Sequence, residues 1–334
     1  MQPFVHGDPE RRAWIEVSGA NPDEVERLKP TLVAFLAFNR ERTPRLAGTG
    51  FVIAGDPGLA LVVTAKHVLA EGVSQFQGLG RTSAPSAIFV PDRPNLSLSP
   101  EHLKAVWVDG RSAGLLNIHC ASYNASTDLA VCAIGPQEHK PPPFDPRAIP
   151  FHTALPRVGD PAQMVSIDEM SVAESEPPAD RTGHGQVLML SRRLSVRVGV
   201  VTGLFPHGLR QYRWPCFTTS IPAEPGMSGG YVCIPKPGST VAACGVVCAD
   251  ASTDEARINQ SLAGESIIGC TWPALGLPLP EHIGRPETRT LLEMAMNGDI
   301  PMPVGGVQHI GLTTDAQGKQ AVHFRGMPGS ASEA

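Results

Sequence analysis

Pro225-Gly226-Met227-Ser228-Gly229-Gly230 lies between two apolar runs, CFTTSI (216–221) and YVCI (231–234). Three glycines in six residues break any helix or strand, so the stretch reads as a tight turn between strands. Glycines flanking a serine also let backbone N–H groups point into one small space, where a tetrahedral oxyanion could be held. A serine hydroxyl is a weak nucleophile and needs a base beside it. Two further segments supply candidates. Thr64-Ala65-Lys66-His67-Val68 ends the apolar run LALVVTA (59–65), and Thr127-Asp128-Leu129-Ala130-Val131 begins the run DLAVCAI (128–134). Histidine can take a proton from a hydroxyl and return it to a leaving amine. A carboxylate behind it fixes the tautomer and stabilises the imidazolium. The candidates are therefore Ser228 as nucleophile, His67 as base and Asp128 as its orienting partner, with the N–H groups of Gly226 and Ser228 as oxyanion donors.

Composition limits the fold. The chain has 334 residues, of which 34 are Gly and 33 Pro, about a fifth together. So many breakers argue against long bundles and coiled coils, and the glycines lack the period of three of collagen. Apolar residues make up 42 %, enough for a sizeable core. With 27 basic and 32 acidic side chains, a net charge of −5 and no basic stripe, the chain is not a broad electrostatic nucleic-acid binder. It has no apolar run long enough to span a membrane. The opening MQPFVHGDPERRAWIEV lacks the apolar core of a secretory signal, so a cytoplasmic location is expected. Seven cysteines (Cys120, Cys132, Cys216, Cys233, Cys244, Cys248 and Cys270) sit mostly in apolar runs and form no CxxC pair. They read as reduced, buried apolar residues, and no metal or cofactor is expected.

Along the chain, a polar N-terminal extension (1–30) carries a short helix near 22–29, with Asn21 as cap and Pro22 in the first turn. Apolar runs follow at 31–38, 48–55 and 59–65, the last two joined by the Asp56-Pro57-Gly58 turn as a hairpin. Residues 70–100 read as loop-rich. Runs at 105–108, 115–123 and 128–134 complete a first β-barrel over 31–140. Lys140-Pro141-Pro142-Pro143 opens a stiff Pro-rich linker, 141–150. A second barrel over 151–275 draws on 161–167, on 186–205 as at least two strands, and on 216–221, 231–234, 241–250 and 266–272. Residues 171–184 read as a surface loop. Residues 276–334 read as a helix near 286–297 followed by a frayed tail. His119, His152, His207 and His309 read as surface or strand residues outside any site.

Taken together, GTGFVI, VVTAKHV, TDLAV, GVVTG, EPGMSGG and GVVCAD, in that order, resemble the trypsin-like serine peptidases of the chymotrypsin fold. His67 and Asp128 are 61 positions apart, Asp128 and Ser228 100 apart, and His–Asp–Ser is the triad order of that group. The nearer likeness is to the bacterial branch of HtrA-type and glutamyl-endopeptidase-like enzymes, over roughly 31–275. The resemblance implies an all-β fold of two six-stranded antiparallel barrels, His67 and Asp128 in the first and Ser228 in the second. It also implies hydrolysis of a protein or peptide substrate through an acyl-enzyme. Secreted relatives carry an aspartate just before the nucleophile, which pairs with a new N-terminus after cleavage. Met227 stands there instead, so activation by N-terminal insertion is not expected. The residues after Trp272 are too few for a PDZ domain.

By the same resemblance the floor of the first specificity pocket falls at Pro222, flanked by Ile221 and Ala223. With no charge there, a small or medium apolar residue is the expected preference. Extended substrate would pair along Gly245, Val246, Val247 and Cys248, with Asp250 at the rim. A serine that often supports the catalytic aspartate is replaced by Cys248, a weaker hydrogen-bonding group. Two alternatives stay open: a pseudoprotease that binds peptides without turnover, and a peptidase switched on by a regulatory partner that contacts a terminal extension.

Overall fold

A computed structural model describes residues 14–19, 22–39, 43–56, 58–69, 86–89, 97–98, 102–109, 112–123, 127–136, 144–175, 187–209, 212, 214–235, 240–250, 264–280, 287–314 and 320–324. A two-residue strand β1 (Ile15–Glu16) and a short helix α1 (Pro22–Leu28) precede the first barrel. Pro22 opens α1 as expected, because its missing N–H would have no partner in the first turn anyway. The expected cap, Asn21, lies outside the described residues.

The first barrel contains β2 (Leu32–Phe38), β3 (Pro44–Asp56), β4 (Leu59–Ala65), β7 (Leu103–Asp109), β8 (Ser112–Tyr123) and β9 (Leu129–Pro136). The antiparallel pairings run β2-β3-β4-β9-β8-β7 and back to β2, so this sheet closes without an open edge. β3 and β4 form the expected hairpin, with Asp56 opposite Leu59. Asp56 Oδ1 accepts the N–H groups of Gly58 and Leu59 at 2.7 and 3.0 Å, the local bonding that makes aspartate a turn residue. Within the segment read as loop-rich, β5 (Ser86–Phe89) lies parallel on β8 and antiparallel to β6 (Ser97–Leu98).

The second barrel contains β10 (Pro161–Ser175), β11 (Val187–Phe205), β12 (Cys216–Thr219), β13 (Tyr231–Cys233), β14 (Ala243–Asp250) and β15 (Ser266–Cys270). It closes in the order β10-β11-β12-β15-β14-β13 and back to β10. The fold is therefore all-β with two six-stranded antiparallel barrels. A continuous core joins them: Phe51 of β3 packs edge-on against Tyr231 of β13, ring centroids 5.4 Å apart, and against Phe151 at 6.5 Å. Residues 144–150, in the expected linker, run between the barrels without helix or strand; 141–143 lie outside the described residues.

Four expectations are corrected. Residues 187–205 form one strand, not two: it pairs with β10 over 187–200 and with β12 over 201–205, where one extra residue, Thr202, lets it bend without breaking. Residues 171–175, read as loop, continue β10 by pairing with 187–191. The C-terminal helix is shorter than expected: α2 (Leu291–Asn297) starts after a Thr290–Glu293 capping box, and Thr288–Thr290 is a strand, β17, paired with β16 (Pro278–Pro280). The segment read as a frayed tail contains regular structure among its described residues. Val304 N–H donates to Phe151 O at 2.7 Å, Ile310 is buried, and β18 (Ile310–Thr314) pairs with β19 (Gln320–Phe324). Its glycines and prolines serve turns there, such as Gly305 and Gly306 at φ +89° and +73°. Among the described residues, no helix is long and apolar enough to cross a membrane.

All seven cysteines are buried and unbridged. Burial pushes the Cys120 thiol up to about 11 and also raises Cys132, Cys244, Cys248 and Cys270. Because the thiolate is the reactive form, Ellman's reagent should find seven thiols in denaturant and react only slowly with the native protein in mildly alkaline buffer. Rapid native titration of several thiols would contradict this burial.

Candidate functional site

Strand register brings His67 to Asp128. β4 and β9 pair with Ala65 opposite Leu129, so the residue after one and the residue before the other emerge at the same barrel end. There Lys66 N–H donates to the Asp128 carbonyl at 3.0 Å, and His67 N–H donates to Asp128 Oδ1 at 3.1 Å. Residues 66–69 form one helical turn, held by the fully buried Val68 and Leu69. Asp128 Oδ2 then lies 2.8 Å from His67 Nδ1. The Asp128 side chain is 9 % exposed and that of His67 41 %, so the carboxylate is shielded while the imidazole faces outward. With Nδ1–H donating to a carboxylate, Nε2 is the nitrogen able to accept a proton.

Ser228 comes from the second barrel, on two successive turns. Met227 N–H donates to Glu224 O at 3.0 Å around Pro225 and Gly226. Proline followed by a glycine at φ +94° fits a type II turn. Gly230 N–H then donates to Met227 O at 2.9 Å around Ser228 and Gly229, whose φ is +86°. Gly229 N–H reaches Val247 O of β14 at 2.7 Å. The loop's own hydrogen bonds thus use the N–H groups of Met227, Gly229 and Gly230, and those of Gly226 and Ser228 take no part in them.

Thr49 of β3 clamps this loop onto the first barrel. Its N–H donates to Ser228 O at 2.7 Å, its hydroxyl to Gly226 O at 2.9 Å, and its Oγ1 accepts Ile167 N–H of β10 at 3.0 Å. Thr64 Oγ1 in turn donates to Thr49 O at 2.6 Å. The approach is so close that a Cβ on Gly229 would sit 1.9 Å from Thr49 O and 2.3 Å from Thr64 Oγ1. A Cβ on Gly48 would sit 2.5 Å from Val68 Cγ2 and 2.8 Å from Ser228 O. Gly48 is thus the gap across which the helical turn bearing His67 meets the Ser228 loop. His67 and Asp128 thus lie at the barrel end on which the Ser228 loop docks.

Cys248 Sγ lies 3.9 Å from the Asp128 backbone carbonyl and 3.4 Å from Val246 O. Burial, then the nearby Asp128 charge, raises its thiol, so it is a neutral neighbour. Pro222 follows the buried Ile221 and its carbonyl accepts from Arg197 Nη1 at 3.0 Å. The expected substrate edge is corrected in part. Gly245 and Val246 pair with β13 on one side and β15 on the other, while Val247 pairs with β15 and exchanges hydrogen bonds with Gly229 and Gly230. Their backbone groups are occupied on both edges and cannot take an added strand. In the described ladders, Ala249 and Asp250 pair only with β15, which moves the open edge to the stretch from Cys248 to Asp250.

Two features escaped the sequence reading. Thr49 was visible only as part of GTGFVI, where a threonine between glycines gives no sign of its partners 118 and 177 positions away. Arg197, in SRRLSVRV, carries no local sign of its partners, yet its side chain is 4 % exposed and ion-paired to Glu16, Asp168 and Glu224. Partial burial works to raise the Glu16 carboxyl, but hydrogen bonds from Ser18, Ser195, the Val196 N–H and Arg197 outweigh it and hold the group below its ordinary value. The stabilisation from Glu16 is therefore complete above the ordinary carboxyl value and is lost as pH falls through the lowered one.

Two closed barrels with His67 and Asp128 on one and a glycine-lined serine loop on the other define a two-barrel hydrolase-type scaffold. Residues 48–242, more than half of the chain, match the trypsin-like peptidase domain, and the chain belongs to that family. No curated protein matches the chain.

Gly229→Ala should be the most damaging single-methyl change at this site. Backbone strain at positive φ and overlap with Thr49 O together should cost about 3 kcal/mol or more. Thr49→Val should cost about 1–3 kcal/mol by leaving the Ile167 N–H without its acceptor. Denaturant unfolding of both variants checks the order, and an unchanged midpoint for Gly229→Ala would refute the close approach.

Proposed function

We propose that this protein is a serine endopeptidase of the bacterial HtrA-like or glutamyl-endopeptidase-like branch. The observation that carries the reading is the buried Asp128 carboxylate 2.8 Å from His67 Nδ1, at the barrel end where the Ser228 loop docks. Ser228 Oγ attacks the scissile carbonyl while His67 Nε2 takes its proton, and Asp128 holds the imidazolium that forms. The N–H groups of Gly226 and Ser228, not used within their own turns, donate to the oxyanion. His67 then protonates the leaving amine, and water hydrolyses the acyl-enzyme by the same base. Every step uses protein groups and water. A substrate strand pairs along Cys248–Asp250 and sets its side chain against the uncharged Ile221–Ala223 segment, which favours small or medium apolar residues. The setting proposed is cytoplasmic.

Labelling with a fluorophosphonate probe tests the reading. The wild type should label, and Ser228→Ala and His67→Ala should abolish labelling and lower peptide hydrolysis by roughly 10⁶-fold. Asp128→Asn, which permits the wrong tautomer, should lower turnover by roughly 10⁴-fold. A folded wild type that binds peptides but never labels would replace this reading with that of a peptide-binding module.

A further inference from the structure

Arg197 stands beneath the serine loop and is reached from the far N-terminal side of the chain. Its Nη1 donates to Pro222 O at 3.0 Å and its Nη2 pairs with Glu224 at 2.9 Å, so it grips the segment leading to Ser228 at two points. Glu224 is also the residue whose carbonyl closes the turn around Gly226, and its N–H meets the buried Met227 Sδ at 3.2 Å. A shift of Glu224 therefore moves the peptide units whose N–H groups the proposed chemistry uses. Met227 itself is fully buried and apolar, so it gives that loop no charged anchor from within.

What fixes Arg197 comes from residues 14–18. β1 pairs with β11, Glu16 opposite Arg197. Glu16 Oε2 accepts Arg197 Nε at 3.1 Å and Ser195 Oγ at 2.8 Å, while Oε1 accepts Val196 N–H at 3.0 Å. Trp14 lays its ring over the guanidinium, 4.8 Å from centroid to Cζ. Asp168, its side chain 2 % exposed, holds the guanidinium from a third side at 3.5 Å and is itself held by Arg193. The attachment of β1 is slight by comparison. It is two residues long, and Trp14, Ile15 and Glu16 are all exposed in part.

We infer that Arg197 is a positioning residue for the Ser228 loop, and that residues 14–18 form a detachable strap which sets it. With the strap seated, the carboxylate and indole hold the guanidinium so that Pro222 O and Glu224 fix the turn at Gly226. With the strap lifted, Arg197 retains Asp168, Glu224, Pro222 O and Ser195 Oγ but loses the carboxylate on its Nε and the indole over its plane, and the loop loosens. The inference rests on the peptidase reading for its consequence, because only there does loop order govern a nucleophile.

Arg197→Ala would leave Asp168 buried beside one fewer cation and could unfold the barrel, so the deciding variants are the exposed Glu16→Gln and Trp14→Ala, in the full chain. Glu169→Gln is the control, since among the described residues Glu169 meets only the exposed side of Arg193, at 3.8 Å. Hydrogen–deuterium exchange of the segment 222–230 should rise in both strap variants and stay unchanged in the control, with β9 exchanging as in the wild type. Their fluorophosphonate labelling rate should fall about tenfold, less than the 10²–10³-fold loss of an oxyanion donor. Unchanged exchange over 222–230, or faster exchange throughout the chain, overturns the strap. Faster loop exchange with an unchanged labelling rate overturns its role in positioning the nucleophile. A wild type that never labels sinks the peptidase reading, while the exchange comparison still decides the strap.

Discussion

The site depends on one threonine, Thr49, bridging two closed barrels. A closed barrel has no edge to offer a neighbour, so the two units must meet through side chains and loops. Thr49 supplies that meeting with its backbone N–H on Ser228 O and its hydroxyl shared between Gly226 O and the Ile167 N–H. Each of these groups would be a buried polar atom without a partner if the barrels packed together without the Thr49 bonds, and unsatisfied groups of that kind cost about 1–3 kcal/mol each. The bonds therefore fix distance and orientation together, which apolar contact alone, as between Phe51 and Tyr231, does more loosely.

That clamp explains the glycines. Gly48, Gly226 and Gly229 all stand where the two units come closest, and a Cβ at any of them would meet atoms of another element at 2.4 to 1.9 Å or, for Gly48, at 2.5 Å. Two of them also take positive φ, which turns the loop back on itself on either side of Ser228. The same residues that let the loop approach thus shape the N–H groups around the serine. Arg197 supports this loop from the opposite side with charge instead of close packing. A buried guanidinium is stable only with its hydrogen bonds met, so its several partners form one unit.

Much of the architecture was legible because its signals are local. Runs such as LVAFLAF and LALVVTA are strands wherever they go, and Asp56-Pro57-Gly58 can join β3 to β4 only by a tight turn. The errors came where local signals conflict with distant pairing. Residues 171–175 carry Glu and Ser and look like loop, but pairing with 187–191 makes them strand. The tail beyond Gly298 is rich in breakers, yet Val304 and Ile310 find partners in the core that no short window contains. The edge of β14 was misjudged for the same reason, since hydrogen-bond capacity depends on which strands lie beside it.

The identity and order of His67, Asp128 and Ser228 as candidates could be read from the chain, because each stands at a strand end or turn whose residue types are informative alone. The glycines around Ser228 likewise marked 225–230 as a tight turn. Folding alone sets Ala65 opposite Leu129, which carries Asp128 to His67, and seats the serine loop on Thr49. It alone decided that Arg197, unremarkable among its neighbours, is buried between Trp14, Glu16, Asp168 and Glu224. The physical reason is the same in each case: pairing and burial depend on contacts between residues far apart in the chain, which closure of the barrels fixes and short-range pattern does not.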